Sequence, residues 1–132
     1  MAAVLAFNLT EEEKKKLRIL CAGMKIMLKV IDRSYFGCRI GDLAAGKADA
    51  CEDPDIDIKE PMLVLASFSG SQLNSFLQGF RRYGVPPIGL KAMLTPSNAE
   101  WTAARLYTEL SAERDALKTG KPVHETETGG NG

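Results

Sequence analysis

The chain has 132 residues and a mass of 14.4 kDa, the size of one domain around one core. Hydrophobic residues make up 45%, charged residues 26% and aromatic residues 7%, which excludes collagenous, mucin-like, coiled-coil and wholly disordered classes. The 17 basic and 17 acidic side chains cancel, so there is no global field for a nucleic acid or an anionic membrane, and neither is expected as a partner.

Ala2 to Phe7 is a continuous apolar run, which reads as a strand buried on both faces. Thr10 with Glu13 forms a capping box, so a helix should start there. Leu17, Leu20, Cys21 and Met24 then recur on one stripe, with Lys14, Lys15, Lys16 and Arg18 left in water and Gly23 marking the helix end. Ile26 to Ile31 is a second strand, and Lys25 and Lys29 suit an edge position. Arg39 to Ala45, between Gly37 and Gly46, fits a short helix. The stretch from Asp49 to Glu60 holds six acids, one base and Pro54, and reads as an exposed loop.

The pattern then restarts. Met62 to Ala66 is another fully apolar strand, Ser69 with Gln72 another capping box, and Leu73, Phe76, Leu77 and Phe80 another helical stripe closed by Gly84. Val85 to Leu94 is strand-like but holds Pro86, Pro87 and Gly89, again an edge signal. Thr95-Pro96-Ser97-Asn98 is expected to open a third helix, with Ala103, Leu106, Tyr107, Leu110 and Leu117 on its apolar face. Lys118 to Gly132 has no period and reads as a frayed tail. A shift of 59 lays Leu5, Ala6, Thr10, Glu13, Leu17 and Cys21 over Val64, Leu65, Ser69, Gln72, Phe76 and Phe80. The expected organisation is therefore one α/β domain, 1–118, made of similar halves (2–45 and 61–118) joined by an acidic loop (46–60) and followed by a disordered tail (119–132).

Two βαβ units are compatible with a ferredoxin-like sandwich plus a C-terminal helix, in which the first and third strands are central. A three-layer parallel α/β sheet is the alternative if Arg39 to Ala45 is a crossover helix. The ferredoxin-like arrangement is preferred because strands 1 and 3 are wholly apolar, while 2 and 4 carry Lys, Pro or Gly. Such a sheet has one wet face, so the second apolar face needs cover from the Trp101–Leu117 helix or from another subunit. A homodimer is expected on that ground.

Three cysteines, Cys21, Cys38 and Cys51, include no CxxC pair, which argues against a disulfide framework and a zinc ribbon. Cys21 lies on the helical stripe and belongs to the core; Cys38 and Cys51 fall in a loop-like region open to solvent. The apolar start Met1–Phe7 has no basic segment before it and is shorter than a signal peptide or a bilayer span, so a cytoplasmic setting with free thiols is expected.

A right-handed βαβ unit brings the C-terminal ends of its two strands to one rim. In the second half these ends lead into Ser69-Gly70-Ser71 and Thr95-Pro96-Ser97-Asn98, and helix starts there would favour an anion. Pro61 to Ala99 contains no acid and three bases, Arg81, Arg82 and Lys91. The candidate anion site is accordingly Ser69, Gly70, Ser71, Lys91, Thr95, Ser97, Asn98 and Trp101, taking a small carboxylate or phosphate metabolite. Each residue also has a structural reading: capping for Ser69, Thr95 and Asn98, packing for Trp101, an edge position for Lys91 and the helix dipole for Arg81 and Arg82.

Catalytic chemistry is thinly supplied. His124, the single histidine, lies in the tail, so neither a Ser-His nor a Cys-His pair can be drawn. Asp53-x-Asp55-x-Asp57 imitates the opening of a calcium loop, but Ile58 stands where glycine is needed and Val64 where the bidentate glutamate would be. No catalytic residue, metal site or cofactor is assigned, and enzymatic activity is not the expectation.

The residues Pro61-Met-Leu-Val-Leu65, Phe68-Ser69, Leu77, Gly84-Val-Pro-Pro-Ile88, Leu90-Lys91-Ala92, Leu94-Thr95-Pro96, Asn98 and Trp101 carry a likeness. The second half resembles a family of small bacterial proteins, a domain of unknown function associated with an amino-acid-metabolism label. The family's Tyr-Gly segment after strand 2 corresponds to Tyr35-Phe36-Gly37 here. The likeness is strong over Pro61 to Glu113, loose over Ala2 to Leu43 and absent elsewhere, and it implies no catalytic residues. With the ferredoxin-like option it makes an amino-acid-sensing module of ACT type a fold-level analogy. Two functions follow as expectations: a non-catalytic, regulatory small-metabolite binding domain, or a protein-interaction module using the Tyr35–Glu60 loop and the last helix.

Overall fold

The computed structural model describes residues 2–49, 51 and 57–118; the expected tail and the middle of the acidic loop, including Asp53 and Asp55, lie outside them. β1 (Ala3–Phe7) and β3 (Met62–Ala66) are buried at every position and pair antiparallel at the centre of a four-stranded sheet. β2 (Met27–Ile31) lies parallel to β1 on one edge, and β4 (Leu90–Met93) lies parallel to β3 on the other, giving the order β2-β1-β3-β4. β4 is shorter than the expected Val85–Leu94 strand. Pro86 and Pro87 have no N–H to give to a ladder, so the residues before Leu90 form an irregular lead-in that buries Val85 and Ile88.

Both long helices begin as their sequences dictate. In α1 (Glu11–Met24) the Thr10 hydroxyl accepts the Glu13 N–H (3.1 Å) and the Glu13 carboxylate accepts the Thr10 N–H (2.8 Å). In α3 (Gly70–Tyr83) Ser69 and Gln72 repeat these bonds at 3.1 and 2.9 Å. Each box satisfies two of the N–H groups that a helix start leaves unpaired. α1 does not stop at Gly23 but one residue later, with Lys25 in the left-handed conformation (φ 58°); Gly84 does the same for α3 (φ 68°). The two helices pack side by side on one face of the sheet. A Cβ at Gly79 would overlap the Leu20 side chain, so the absence of a side chain there permits the close approach.

The other face is covered by α2 (Ile40–Ala45) and α4 (Ala103–Lys118). Thr95 to Asn98 does not open the last helix as expected. The Asn98 carboxamide oxygen accepts the Thr95 N–H (2.9 Å) and its Nδ2 donates to the Met93 carbonyl (2.9 Å), closing a tight turn that passes into a 3₁₀ turn at Asn98–Glu100. α4 begins at Ala103, with the Thr102 hydroxyl accepting the Arg105 N–H (3.1 Å).

Strand alternation divides the core into two layers. Val4, Ala6, Leu63 and Leu65 meet Leu17, Leu20, Cys21 and Phe76 on the α1/α3 side. Leu5, Phe7, Met62 and Val64 meet Ile40, Leu43, Ala103 and Leu106 on the α2/α4 side. Cover for the second face therefore comes from within the chain, and the ground for expecting a second subunit falls away. Leu117, expected on the apolar face of α4, is 70% exposed.

This is an α/β fold with intact βαβ units, and it corrects both expected architectures. A ferredoxin-like sheet interleaves its two units, whereas here each edge strand pairs with the central strand of its own unit. The layered alternative is right about helices on both faces, but the sheet is mixed rather than parallel because β1 and β3 run in opposite directions. The separation of 59 holds from β1/β3 through the caps, and Leu5 pairs directly with its counterpart Val64. It becomes 63 at β2/β4, after the Pro86–Gly89 lead-in. At that separation Arg39 faces Thr102 across an antiparallel bridge, with Ile40 N–H donating to the Trp101 carbonyl (2.9 Å) and Ala103 N–H to the Cys38 carbonyl (3.1 Å). Among the described residues, no helix is long and apolar enough to cross a membrane.

Candidate functional site

β1 leads to α1 on one face of the sheet, and its parallel neighbour β2 leads to α2 on the other face. Adjacent parallel strands whose connections part in this way leave a crevice at their C-terminal ends, the usual ligand position in open α/β sheets. β3 and β4 repeat the arrangement, so the molecule has two such rims.

At the second rim, Ser69 and Thr95 emerge together as the sequence predicts: Leu65 and Met93 are register partners and the Leu94 N–H donates to the Leu65 carbonyl (2.8 Å). The eight candidate residues do not, however, converge on one cavity. Ser69 is occupied by its capping box; Gly70 and Ser71 follow it on the exposed first turn of α3. Thr95 and Asn98 hold each other in the turn, with exposed Ser97 between them. Lys91, the register partner of Leu63, faces the α1/α3 layer. Its Nζ donates to the Ile88 carbonyl and stands 5.8 Å from the centre of the Phe80 ring. Burial lowers its pKa below the usual lysine value. Trp101 belongs to the opposite layer, packing toward α4 with the Arg105 guanidinium 4.3 Å above its ring.

The first rim opens into a cavity of about 510 Å³, lined by Asn8, Leu9, Lys14, Val30, Ile31, Asp32, Arg33, Phe36, Asp57, Ile58 and Lys59. Asn8, just past β1, is left-handed (φ 58°), as is its counterpart Ser67 past β3 (φ 62°). Lys14 pairs with Glu11 (3.0 Å) and Arg33 with Asp57 (3.6 Å), whereas Lys59 has no partner among the described residues. Asp32 accepts the Ser34 hydroxyl (2.6 Å) and backbone N–H (3.1 Å). These bonds hold its carboxyl below the usual range, so it stays ionised and is a weak base. Three cations against two carboxylates, Asp32 and Asp57, leave the polar hollow with an excess of positive charge that suits a small anion. A larger open groove of about 790 Å³ runs between α1 and α3 past Gly23, Gly79 and Tyr83, near the C-terminal ends of these helices rather than the C-terminal ends of the strands.

Sequence reading missed Asn8, Lys14, Asp32, Arg33 and Lys59 as a group. The repeat points to part of the group, since the shift of 59 carries Ser67 onto Asn8 and that of 63 carries Thr95 and Pro96 onto Asp32 and Arg33, whereas Lys59 lies in the loop between the halves and has no counterpart.

These features define a three-layer α/β domain with two pseudo-equivalent strand-end rims, one of them hollow. A family model described as a domain of unknown function (DUF3783) matches residues 61–117, the β3–α3–β4–α4 half. That description names no activity and says nothing of amino-acid metabolism. No curated protein and no solved structure matches the chain.

Proposed function

We propose that the chain is a non-catalytic binding domain that takes a small carboxylate- or phosphate-bearing metabolite at the first rim, between the C-terminal ends of β1 and β2. The observation that carries this reading is the cavity of about 510 Å³ at that crevice, lined by Lys14, Arg33 and Lys59. Its volume falls within the usual range for small-molecule sites. Arg33 holds Asp57 at 3.6 Å, so an anion able to accept two parallel N–H bonds would replace that contact with a better one. A protein-interaction role is less well supported by the same region: Phe36 and Ile58 of the Tyr35–Glu60 segment are buried in the core, and Tyr35 packs beside them.

Thermal-shift measurements against single amino acids and phosphorylated metabolites test the proposal. A ligand present at one hundred times its Kd adds about 2.7 kcal/mol and raises Tm by several degrees. The expected result is a shift that disappears in an Arg33→Ala/Lys59→Ala variant and persists in Lys91→Ala. A shift lost in Lys91→Ala but kept in the double variant moves the ligand away from the first rim to the surroundings of Lys91 on β4. Silence from every metabolite tried removes the proposal.

A further inference from the structure

The acidic loop returns to the domain at Cys51, where its backbone is held from two sides. The Cys51 N–H donates to the Ser34 carbonyl and the Gly37 N–H donates to the Cys51 carbonyl, both at 2.6 Å. This clamp sets Cys51 beside the segment that carries Cys38, and the two side chains are near enough to interact electrostatically. The Cys38 thiol also donates to the Asp49 carbonyl (2.9 Å). The pair is asymmetric in access: Cys51 is exposed, whereas Cys38 is 6% exposed. Cys21 lies in the core layer on the other side of the sheet and takes no part.

We propose that Cys38 and Cys51 are a reversible redox-modification site, closing an intrachain disulfide by exchange with a small-molecule disulfide such as oxidised glutathione. The Cys51 thiolate attacks one sulfur of the small disulfide, whose S–S bond breaks and releases the first small thiol. Cys38 then loses its proton to solvent and attacks the Cys51 sulfur, forming the Cys38–Cys51 bond and expelling the second small thiol. Two protein thiols give up two electrons, and one small disulfide is reduced to two thiols. Access decides the order, because an incoming disulfide meets Cys51 first. Burial, reinforced by the neighbouring Cys51, raises the Cys38 pKa and keeps that thiol protonated until the mixed disulfide stands beside it. The bond would join Cys38 to Cys51, which precedes Asp57, Ile58 and Lys59 of the hollow rim in the chain.

The test treats the folded full chain with oxidised glutathione, then alkylates the remaining thiols in denaturant and maps the peptides. Expected are a fall from three free thiols to one, a mass lower by two hydrogen atoms, a linked Cys38–Cys51 peptide pair, and full reversal by a dithiol reductant. Cys21→Ala should yield the same product, and Cys38→Ser should stop at a mixed disulfide on Cys51. A stable mixed disulfide on Cys51 in the unmutated chain, a Cys51–Cys51 dimer as main product, or no thiol loss would each overturn the proposal. None of these readouts depends on whether the first rim binds a metabolite.

Discussion

Cys21, wedged between α1 and the sheet, is the residue for which burial has its plainest electrostatic consequence. It is 2% exposed, and burial pushes its thiol from 9.0 up to about 11. Below pH 9 the thiol is protonated in both folded and unfolded chains. As pH rises from 9 through 11 the unfolded chain ionises first, so the stability contributed by the raised pKa, about 2–3 kcal/mol by linkage, is progressively lost. Lys91 acts in the opposite sense, since a lowered pKa makes stability rise as pH approaches the ordinary lysine value of 10.5. Comparing the chain with Cys21→Ala isolates the thiol. Urea midpoints should differ most near pH 8 and converge by about pH 11, and a constant difference would refute the assignment. At this scale the sequence shows Cys21 as a core residue through its stripe. It does not show that Cys38 is buried, because α4 and the returning acidic loop, distant in sequence, bury it.

The elements were largely legible. Both capping boxes, both fully apolar strands and the Gly84 stop stand in the structure where local chemistry put them, because each depends on contacts within four residues. The errors fall where a local signal meets a neighbour. Gly23 looks like a helix stop, but left-handed Lys25 performs that task in α1, with its N–H donating to the Ala22 and Cys21 carbonyls. A lysine in that conformation costs about 1 kcal/mol or more relative to glycine, the residue α3 uses at the same point. Lys25→Gly is therefore expected to stabilise the chain by about 1 kcal/mol, read as a higher urea midpoint at unchanged slope. An unchanged or lower midpoint would count against the left-handed cap. Thr95 and Pro96 resemble a helix start in the same deceptive way. The Asn98 carboxamide diverts them by bonding back to Thr95 and Met93, and the first intrahelical bond waits for Thr102.

For the molecule as a whole, α4 is what allows a sheet with two apolar faces to exist in one chain. Leu106 is 2% exposed against the layer of Leu5, Phe7, Met62 and Val64. The far end of the helix is tied back by Arg114, whose Nη2 donates to Glu60 Oε2 at 2.8 Å. Leu106→Ala is expected to cost about 2–5 kcal/mol, the range for truncating a buried leucine, measured by chemical denaturation. A loss under 1 kcal/mol would mean that α4 is not integral cover. The candidate site belongs to this scale as well. The Ser69–Thr95 rim could be foreseen because one βαβ unit forms it, but Lys91 and Trp101 lie in different layers and so do not converge. The hollow rim unites Lys14, Arg33 and Lys59 from three separate segments, and periodicity within any one of them cannot reveal that meeting.

The sequence by itself determined which strands are central and which lie at the edges, where the two long helices begin, and that the halves echo each other. All of these follow from hydrophobic pattern and capping within short windows. Only the tertiary structure decided which edge strand lies beside which central one, and that the two faces take different pairs of helices. Exchanging β2 and β4 leaves β1 and β3 in the middle and both edges half-wet. Burial, the quantity that hydrophobic pattern encodes, is the same for either order, and long-range pairing alone separates them.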